Sequence, residues 1–532
     1  MTPWIGLLAV VVGLSSGQSA PQARETPEPA ILRGMVTEAG GKGLRRARVT
    51  LVPAGETAGT SRRSVNTTAS GRYEFRDVPP GDYYLSAARP GYLNLEYGQR
   101  HALERGTPVT IAAGAIVERM DLALPRGGVL AGRVVDDLGE PYPGVQVTVV
   151  VMRYDGGVRK AFPQGGATTN DLGAFRIPGL PPGYFSLVAI SNEMWRTNDK
   201  ETWGYAATSY PVPSGDQPET IRLGPSEERT GIVIPLNAGR TARVRGRVRH
   251  ESGEGVAGAP VSLNYGWGTF VMTAGARSVR ADPGGAFEFT NVPGGRYVIG
   301  GGQGVPLTVA GADVDDVDIV IKTGSAITGS VTTDEGGPPP FVTSGVRIRL
   351  EAPFGNVLPT LRSVQVDSDW SFKLTGLGGP FLFRVTGIPE DWTLGAVRIG
   401  DKDITDVPSD VPTGGQELGG MQVVLTRKMG RISGAVVDAT DRPAPGATVV
   451  VFSEEPEHWV PHSRYLRAIR PSADGQFMIP ALPAGTYRVV VSDTIEEGQW
   501  EDRAWLEAMR DEGVRVVLIE GAAERLSLRL GR

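Results

Sequence analysis

Histidine occurs four times in 532 residues, at His101, His250, His458 and His462, and cysteine does not occur. The missing thiol excludes a cysteine nucleophile, a thiolate metal site, a disulfide staple and a lipidated N-terminal cysteine. A Ser-His-Asp triad has little to draw on, since only His458 and His462 stand close together. Four apart, they would share one face of a helix, but Pro461 between them argues for a loop, and no His-Glu-x-x-His run is present. The pair reads as part of a loop with an exposed Trp459, not as a metal site. Gly13-Leu14-Ser15-Ser16-Gly17 matches Gly-x-Ser-x-Gly. A nucleophile elbow needs a strand before it and a helix after, and this match lies in an apolar leader instead. No catalytic residue, metal or cofactor is assigned.

Two acidic clusters and one set of aromatics remain. Asp313, Asp315, Asp316 and Asp318 alternate with Val314, Val317 and Ile319, and Asp401, Asp403 and Asp406 flank a turn. Calcium needs several oxygens from a suitably turned loop, and neither cluster has the EF-hand spacing. Both read as solvated strand faces and turns. Trp195, Trp203, Tyr205 and Trp267 lie in the longest loops. Binding residues concentrate on loops held by a rigid scaffold, so these four are the candidate ligand contacts. The competing reading is that the rings cover the end of their own domain.

The elements that must position these residues recur five times, and such repeats decide the fold. Each copy opens on a Gly beside alternating apolar residues, continues to a Gly-x-aromatic step, and then reaches a Pro/Gly turn followed by an aromatic. Copy two reads Ala131-Gly132-Arg133-Val134-Val135, Gly173-Ala174-Phe175 and Leu180-Pro181-Pro182-Gly183-Tyr184. Copy five reads Ser433-Gly434-Ala435-Val436, Gly475-Gln476-Phe477 and Leu482-Pro483-Ala484-Gly485-Thr486-Tyr487. Copies one and three keep the pattern, and copy four is the most worn, with Asp369-Trp370-Ser371-Phe372 and Gly378-Gly379-Pro380-Phe381. The spacing from opening Gly to turn Gly is 47, 51, 49, 50 and 51 residues (34 to 81, 132 to 183, 246 to 295, 329 to 379, 434 to 485). Alternating β-branched runs such as Val145-Gln146-Val147-Thr148-Val149 are half-buried strands, and the Pro and Gly residues mark reversals. The aromatic step and the Pro-Gly-x-Tyr segment read as two antiparallel strands joined by a tight turn.

The pattern resembles the carboxypeptidase regulatory-like domain, a prealbumin-like β-sandwich, together with the related carbohydrate-binding-like fold. The opening Gly-x-Val, the Gly-x-Phe step and the Leu-Pro-Pro-Gly-Tyr turn carry the resemblance, over nearly all of residues 31–530. It implies an all-β chain of five tandem Ig-like or prealbumin-like sandwiches, commonly exported, in which the name refers to a domain appended to a peptidase rather than to a peptidase. It also makes a glycan the leading ligand class. Collagen-adhesin domains with Lys–Asn isopeptide bonds are set aside, because the openings carry Arg33, Arg133 and Arg247 and the closing strands contain no Asn.

Ile5 to Leu14 is a short apolar run followed by small and polar residues, which reads as an export signal too short to span a membrane. A net charge of −5 leaves no polybasic footprint for nucleic acid. The expected organisation is a signal peptide at 1–20, a linker at 21–30, and sandwiches at 31–126, 127–238 (with an insertion at about 191–220), 239–323, 324–427 and 428–532. The last carries a short amphipathic helix at about 500–510, where Trp505 and Met509 are spaced i, i+4. The functional expectation is a secreted or periplasmic, non-catalytic binding protein of the cell envelope, with a glycan or an envelope protein as partner. The alternative is a structural spacer or accessory scaffold.

Overall fold

The computed structural model describes residues 28–54, 62–99, 106–198, 201–212, 219–267, 270–300, 304–351 and 362–531. The expected signal peptide, most of the 21–30 linker and His101 lie outside them. The described strands form five successive two-sheet units, numbered here as domains 1 to 5.

One sheet is built the same way in every domain. The opening strand is central, antiparallel to the Gly-x-aromatic strand on one side and parallel to the closing strand on the other. In domain 1, Ala30–Glu38 lies between Arg72–Val78 and Leu122–Leu124. In domain 5, Gly430–Val437 lies between Gln476–Leu482 and Ala523–Arg529. Domains 2, 3 and 4 repeat the arrangement. Domain 4 adds Thr393–Ile399 beyond its closing strand. The second sheet is antiparallel and centred on a strand such as Gln146–Asp155 or Thr448–Ser453.

The opening glycine has a steric reason. A side-chain carbon at Gly132, Gly246, Gly329 or Gly434 would collide with a backbone carbonyl oxygen of the closing strand, at Ile232, Val317, Met421 and Leu526 respectively, and one at Gly34 with that of Met120, just ahead of the closing strand. The glycine of the aromatic step has a conformational one, with φ between +66° and +84° at Gly71, Gly173, Gly285 and Gly475, a region that suits glycine. In domain 4 that position belongs to Trp370, at φ +67°, and its ring is buried against Phe341 at 5.3 Å.

The Pro-Gly turn is not a hairpin. The strands on either side of it, Arg72–Val78 and Gly81–Ala88 in domain 1, pair in different sheets, and this holds in all five domains. The turn is therefore a corner that hands the chain from one sheet to the other. A tyrosine two residues past the glycine folds back over it. Its hydroxyl donates to the carbonyl of the proline four residues upstream, at 2.9 Å for Tyr83 to Pro79, 2.9 Å for Tyr297 to Pro293 and 2.7 Å for Tyr487 to Pro483. Spacing, not residue type, assigns the core aromatic. In copy two it is Phe185, fully buried, while Tyr184 points to solvent at 61 % exposure.

Each domain has its own apolar core, with Phe75, Phe185, Phe289, Phe383 and Tyr487 among the largest fully buried side chains. Domain 5 has a second cluster. The outer face of its antiparallel sheet, with Val450, Phe452 and Val490, is covered by Trp459, Ile495 and Leu506. Leu506 comes from the helix Arg503–Met509, whose first turn is capped by the Asp502 carboxylate accepting from the Ala504 N–H at 2.9 Å. Trp459 is thus buried rather than exposed, and its indole N–H donates to the Ser453 carbonyl at 2.7 Å.

Two substitutions separate these roles. Gly434→Ala forces a carbon into the Leu526 carbonyl and is expected to cost about 1–3 kcal/mol, the usual range for overpacking. Tyr487→Phe removes one hydroxyl bond and is expected to cost about 1 kcal/mol. Denaturant unfolding of the two variants checks the order.

Candidate functional site

The insertion of domain 2 forms a hairpin, Met194–Asn198 with Glu201–Ala206. Its second strand pairs with Asn237–Arg240, the segment that leads into domain 3. The Thr241 N–H and hydroxyl both donate to the Thr202 carbonyl, at 2.9 and 2.8 Å. The hairpin therefore clamps the connection between domains 2 and 3, and its pairing crosses the boundary drawn at 238/239. The two domains are also joined by apolar contact. Val150, Ala161, Val188 and Ile190, on the outer face of the domain 2 sheet, form one continuous buried cluster with the core of domain 3.

Three of the four candidate aromatics, Trp195, Trp203 and Tyr205, lie in this hairpin. Tyr205 is 5 % exposed and belongs to the domain 2 core. Its ring centre lies 4.9 Å from those of both Tyr142 and Trp195. Burial, reinforced by the Glu193 carboxylate, pushes the Tyr142 hydroxyl up in pKa. Trp195 packs half-buried against the same core, and Trp203 sits opposite Trp195 in the hairpin with its indole nitrogen buried and without a hydrogen-bond partner. At 5 % exposure, with Tyr142 and Trp195 packed beside it, Tyr205 presents almost no surface to a ligand. The Trp267 side chain lies outside the described residues, and its backbone pairs with Phe270.

Three carboxylates of the first acidic cluster have partners. Opposite the closing strand of domain 3, the opening strand presents Arg243, Arg245 and Arg249. Asp313 accepts from the Arg243 N–H at 2.9 Å, Asp315 pairs with Arg245 at 2.7 Å, and Asp318 takes two bonds from Arg249 at 2.8 and 2.6 Å. These carboxylates form a cross-strand ladder with arginine. Among the described residues no group of three or more His, Asp or Glu is placed to hold a metal ion. His458 stacks on Tyr465 at 3.8 Å between ring centres, while His462 donates its backbone N–H to Glu501 at 3.1 Å.

Asp406 departs from the expected solvated turn. It is 5 % exposed and lies where domain 4 meets domain 5. Its carboxylate accepts from the Arg464 backbone N–H at 2.9 Å and from the Arg464 guanidinium at 2.8 and 2.7 Å. Arg464 comes from domain 5 and is itself buried, and it also donates to the Leu394 and Gly395 carbonyls of domain 4 at 2.9 and 2.6 Å. In return, Arg384 of domain 4 approaches Asp406 at 3.3 Å and donates to the His462 carbonyl of domain 5 at 2.7 Å. Burial alone pushes the Asp406 carboxyl up, but the charge and hydrogen bonds of Arg464, with Arg384 beside it, outweigh burial and hold it below its ordinary value of 3.8. Nothing in the spacing of Asp401, Asp403 and Asp406 marks the third as different; only the apposition of two domains does.

A cleft of about 370 Å³ lies beside the same connection, lined by Asp334, Glu335, Pro338, Trp392, Arg427 and Lys428. The Arg427 guanidinium covers the Trp392 ring at 4.5 Å, and Lys428 pairs with Asp334 at 3.0 Å. Sequence reasoning passed over Trp392 because copy four is the most worn, although Trp392 and the Pro338-Pro339-Pro340 run have no counterpart in the motif.

Fold and joints together define a class: small two-sheet β domains in tandem, each opening on a glycine-bearing central strand and each turning between sheets at a proline-glycine corner. The carboxypeptidase regulatory-like domain model matches residues 31–125, 129–210 and 431–518, which are copies one, two and five. The chain is a carboxypeptidase regulatory-like domain protein, and the match indicates no catalytic family. No curated protein matches it. Among solved structures it is similar to the Bacillus anthracis TIE protein (12% identity, 76% of this chain and 74% of that one, TM-score 0.17). It is also similar to the minor pilin GBS52 of Streptococcus agalactiae (16%, 39% and 96%, 0.22) and to the major pilin subunit BcpA of Bacillus cereus (14%, 55% and 99%, 0.14). At those TM-scores the likeness carries no functional information.

Asp406→Ala leaves two buried guanidinium groups without their carboxylate, a change that typically costs about 3–5 kcal/mol. The expected result is lower stability of domains 4 and 5 together, read by differential scanning calorimetry. The pH dependence has a definite sign. A carboxyl held below its unfolded value contributes stability above that value and loses it as pH falls through the lowered one. The junction is therefore expected to weaken below about pH 4, the ordinary aspartate range, and the Asp406→Ala variant should lack that component.

Proposed function

We propose that the chain is a non-catalytic, exported scaffold that holds its β domains in fixed relation, as a spacer or accessory subunit for an envelope transporter or enzyme. One observation carries the reading: two segments in which the copies differ lie at joints between domains. The domain 2 insertion pairs with the segment entering domain 3. The Asp406 turn of domain 4 meets the Arg464 loop of domain 5. In a binding module the variable loops would instead face solvent. Export rests on the apolar run from Ile5 to Leu14.

Glycan binding at the envelope is the second reading, favoured by the Trp392 cleft and by the partial exposure of Trp195 and Trp203. The cleft sets charged and polar groups beside Trp392, whose ring is covered by Arg427 at 4.5 Å, so hydrogen bonds rather than stacking would hold a sugar there.

The two readings separate experimentally. The chain has no cysteine, so single spin labels can be placed at will. One label in domain 4 and one in domain 5 should give a single narrow distance if the chain is a scaffold. A broad distribution, combined with glycan-array retention that Trp392→Ala or Trp203→Ala abolishes, would replace the scaffold with the glycan-binding reading.

A further inference from the structure

Domain 2, like domain 3 with strands of 8 and 11 residues, has a long hairpin. Its strands Gln146–Asp155 and Val158–Thr168 run for 10 and 11 residues, where the corresponding strands of domains 1 and 5 run for 6 and 4. The tip is a two-residue turn, Gly156-Gly157, with φ of +59° and +71°, the conformation that matches the twist of paired strands. That tip lies against domain 5, three domains further along the chain. A side-chain carbon at Gly157 would collide with the Glu501 carbonyl, and one at Gly498 would lie 3.0 Å from the Tyr154 carbonyl. The two backbones approach so closely only because both positions are glycine. Beside them, Arg159 pairs with Glu496 at 2.5 Å while its guanidinium lies 5.3 Å from the Tyr154 ring centre.

The docking segment is the one that precedes the domain 5 helix, and it also touches the junction with domain 4. The Glu501 carboxylate accepts from the His462 N–H, and the His462 carbonyl accepts from Arg384 of domain 4. Residues 496–502 therefore touch domain 2 directly and are linked to domain 4 through His462. The three contacts differ in kind. Domains 2 and 3 share a buried apolar cluster, and domains 4 and 5 share a buried ion pair. The contact between domains 2 and 5 holds its charges half in water, with Arg159 and Glu496 side chains 51% and 50% exposed.

We infer that the domain 2 hairpin and residues 496–502 of domain 5 form a latch that closes domains 2 to 5 into a ring, with domains 3 and 4 linked through the chain itself, and that this seam opens while the joints between domains 2 and 3 and between domains 4 and 5 stay shut. The inference rests on the scaffold reading and adds that the scaffold has a closed and an open form. Exposed ion pairs contribute little and are screened by salt. The close approaches of Gly157 to Glu501 and of Gly498 to Tyr154 add shape, and among the described residues no buried apolar cluster joins domains 2 and 5. The seam is therefore the salt-sensitive one. Its partner surface is within the same chain, recognised by a glycine turn and one arginine–carboxylate pair.

The test uses the full chain with spin labels at Val158→Cys and Asp493→Cys, both in exposed positions. At low ionic strength a single short distance is expected. In 1 M salt, where the screening length is about 3 Å, the closed-to-open ratio should fall roughly two- to fivefold, the range an exposed pair supports. Arg159→Glu should lower it similarly, and adding Glu496→Arg should restore it. Gly157→Asn keeps a residue that tolerates positive φ in the turn but puts a carbon against the Glu501 carbonyl, so it should abolish the short distance without unfolding the hairpin. A long, broad distribution at low salt, or a short distance unmoved by salt and by both variants, overturns the latch. A label pair across domains 4 and 5 that remains narrow in either case leaves the scaffold reading intact.

Discussion

A carbonyl oxygen of the closing strand, or in domain 1 just ahead of it, occupies the space where the opening glycine would carry a side chain, and the rest of each domain is arranged around that approach. The closing strand runs parallel to the opening one, so the chain must cross the whole sandwich between them. Only a glycine lets the two backbones approach so closely, and in domains 2, 3 and 4 the parallel register shifts at that glycine. The aromatic of the Gly-x-aromatic step lies against the same position. The Tyr73 hydroxyl donates to the Met120 carbonyl at 2.5 Å, and the Phe287, Phe372 and Phe477 rings face their own opening glycines. One glycine thus connects the three strands of a sheet and the first large ring of its core.

The framework was largely legible in the sequence because it is made of local constraints. Positive φ, proline reversals and alternating apolar residues act over two to five positions, and a repeated local constraint shows as a repeated motif. The failures came where pairing is non-local. The corner between Arg72–Val78 and Gly81–Ala88 has the residues of a hairpin turn, and only the pairing of each strand elsewhere makes it a change of sheet. Tyr184 and Phe185 are adjacent aromatics, and residue type favours the wrong one. Counting two residues past the glycine, as for Tyr83, Tyr297 and Tyr487, assigns Phe185 to the core. Trp370 shows the opposite case. A bulky residue in a glycine conformation is strained, and in domain 4 the strain is offset by a ring packed into the core and against Phe341.

The candidate site was less legible, for a reason that concerns charge. Asp406 differs from Asp401 and Asp403 only in what a second domain brings to it, and Trp459 reads as exposed until the outer face of its own sheet is recognised as apolar. A sheet with two apolar faces must be covered twice. In domain 5 the second cover is the Trp459 loop and the helix, and in domain 2 it is domain 3. The alternation that marks a half-buried strand disappears in Thr448–Ser453, where every position is buried. An unbroken buried strand is the signal in sequence that something beyond the domain's own core lies on it.

The chemistry of a joint also determines how specifically it orients its domains. An apolar cluster between two sheets tolerates sliding, because dispersion contacts are individually weak and non-directional. A buried aspartate with two guanidinium groups tolerates very little, because each lost bond exposes an unpaired charge in a poorly solvated place. The junction of domains 4 and 5 takes the directional solution, with Arg464 satisfied by a carboxylate and two carbonyls of its neighbour. The junction of domains 2 and 3 reaches the same end by adding strand pairing to its apolar contact, since the hydrogen bonds between Glu201–Ala206 and Asn237–Arg240 fix a register that hydrophobic burial alone would leave free. Directionality at both junctions has been added to burial in segments that the repeated motif does not contain, which is how copies of one fold acquire a defined orientation at these two joints.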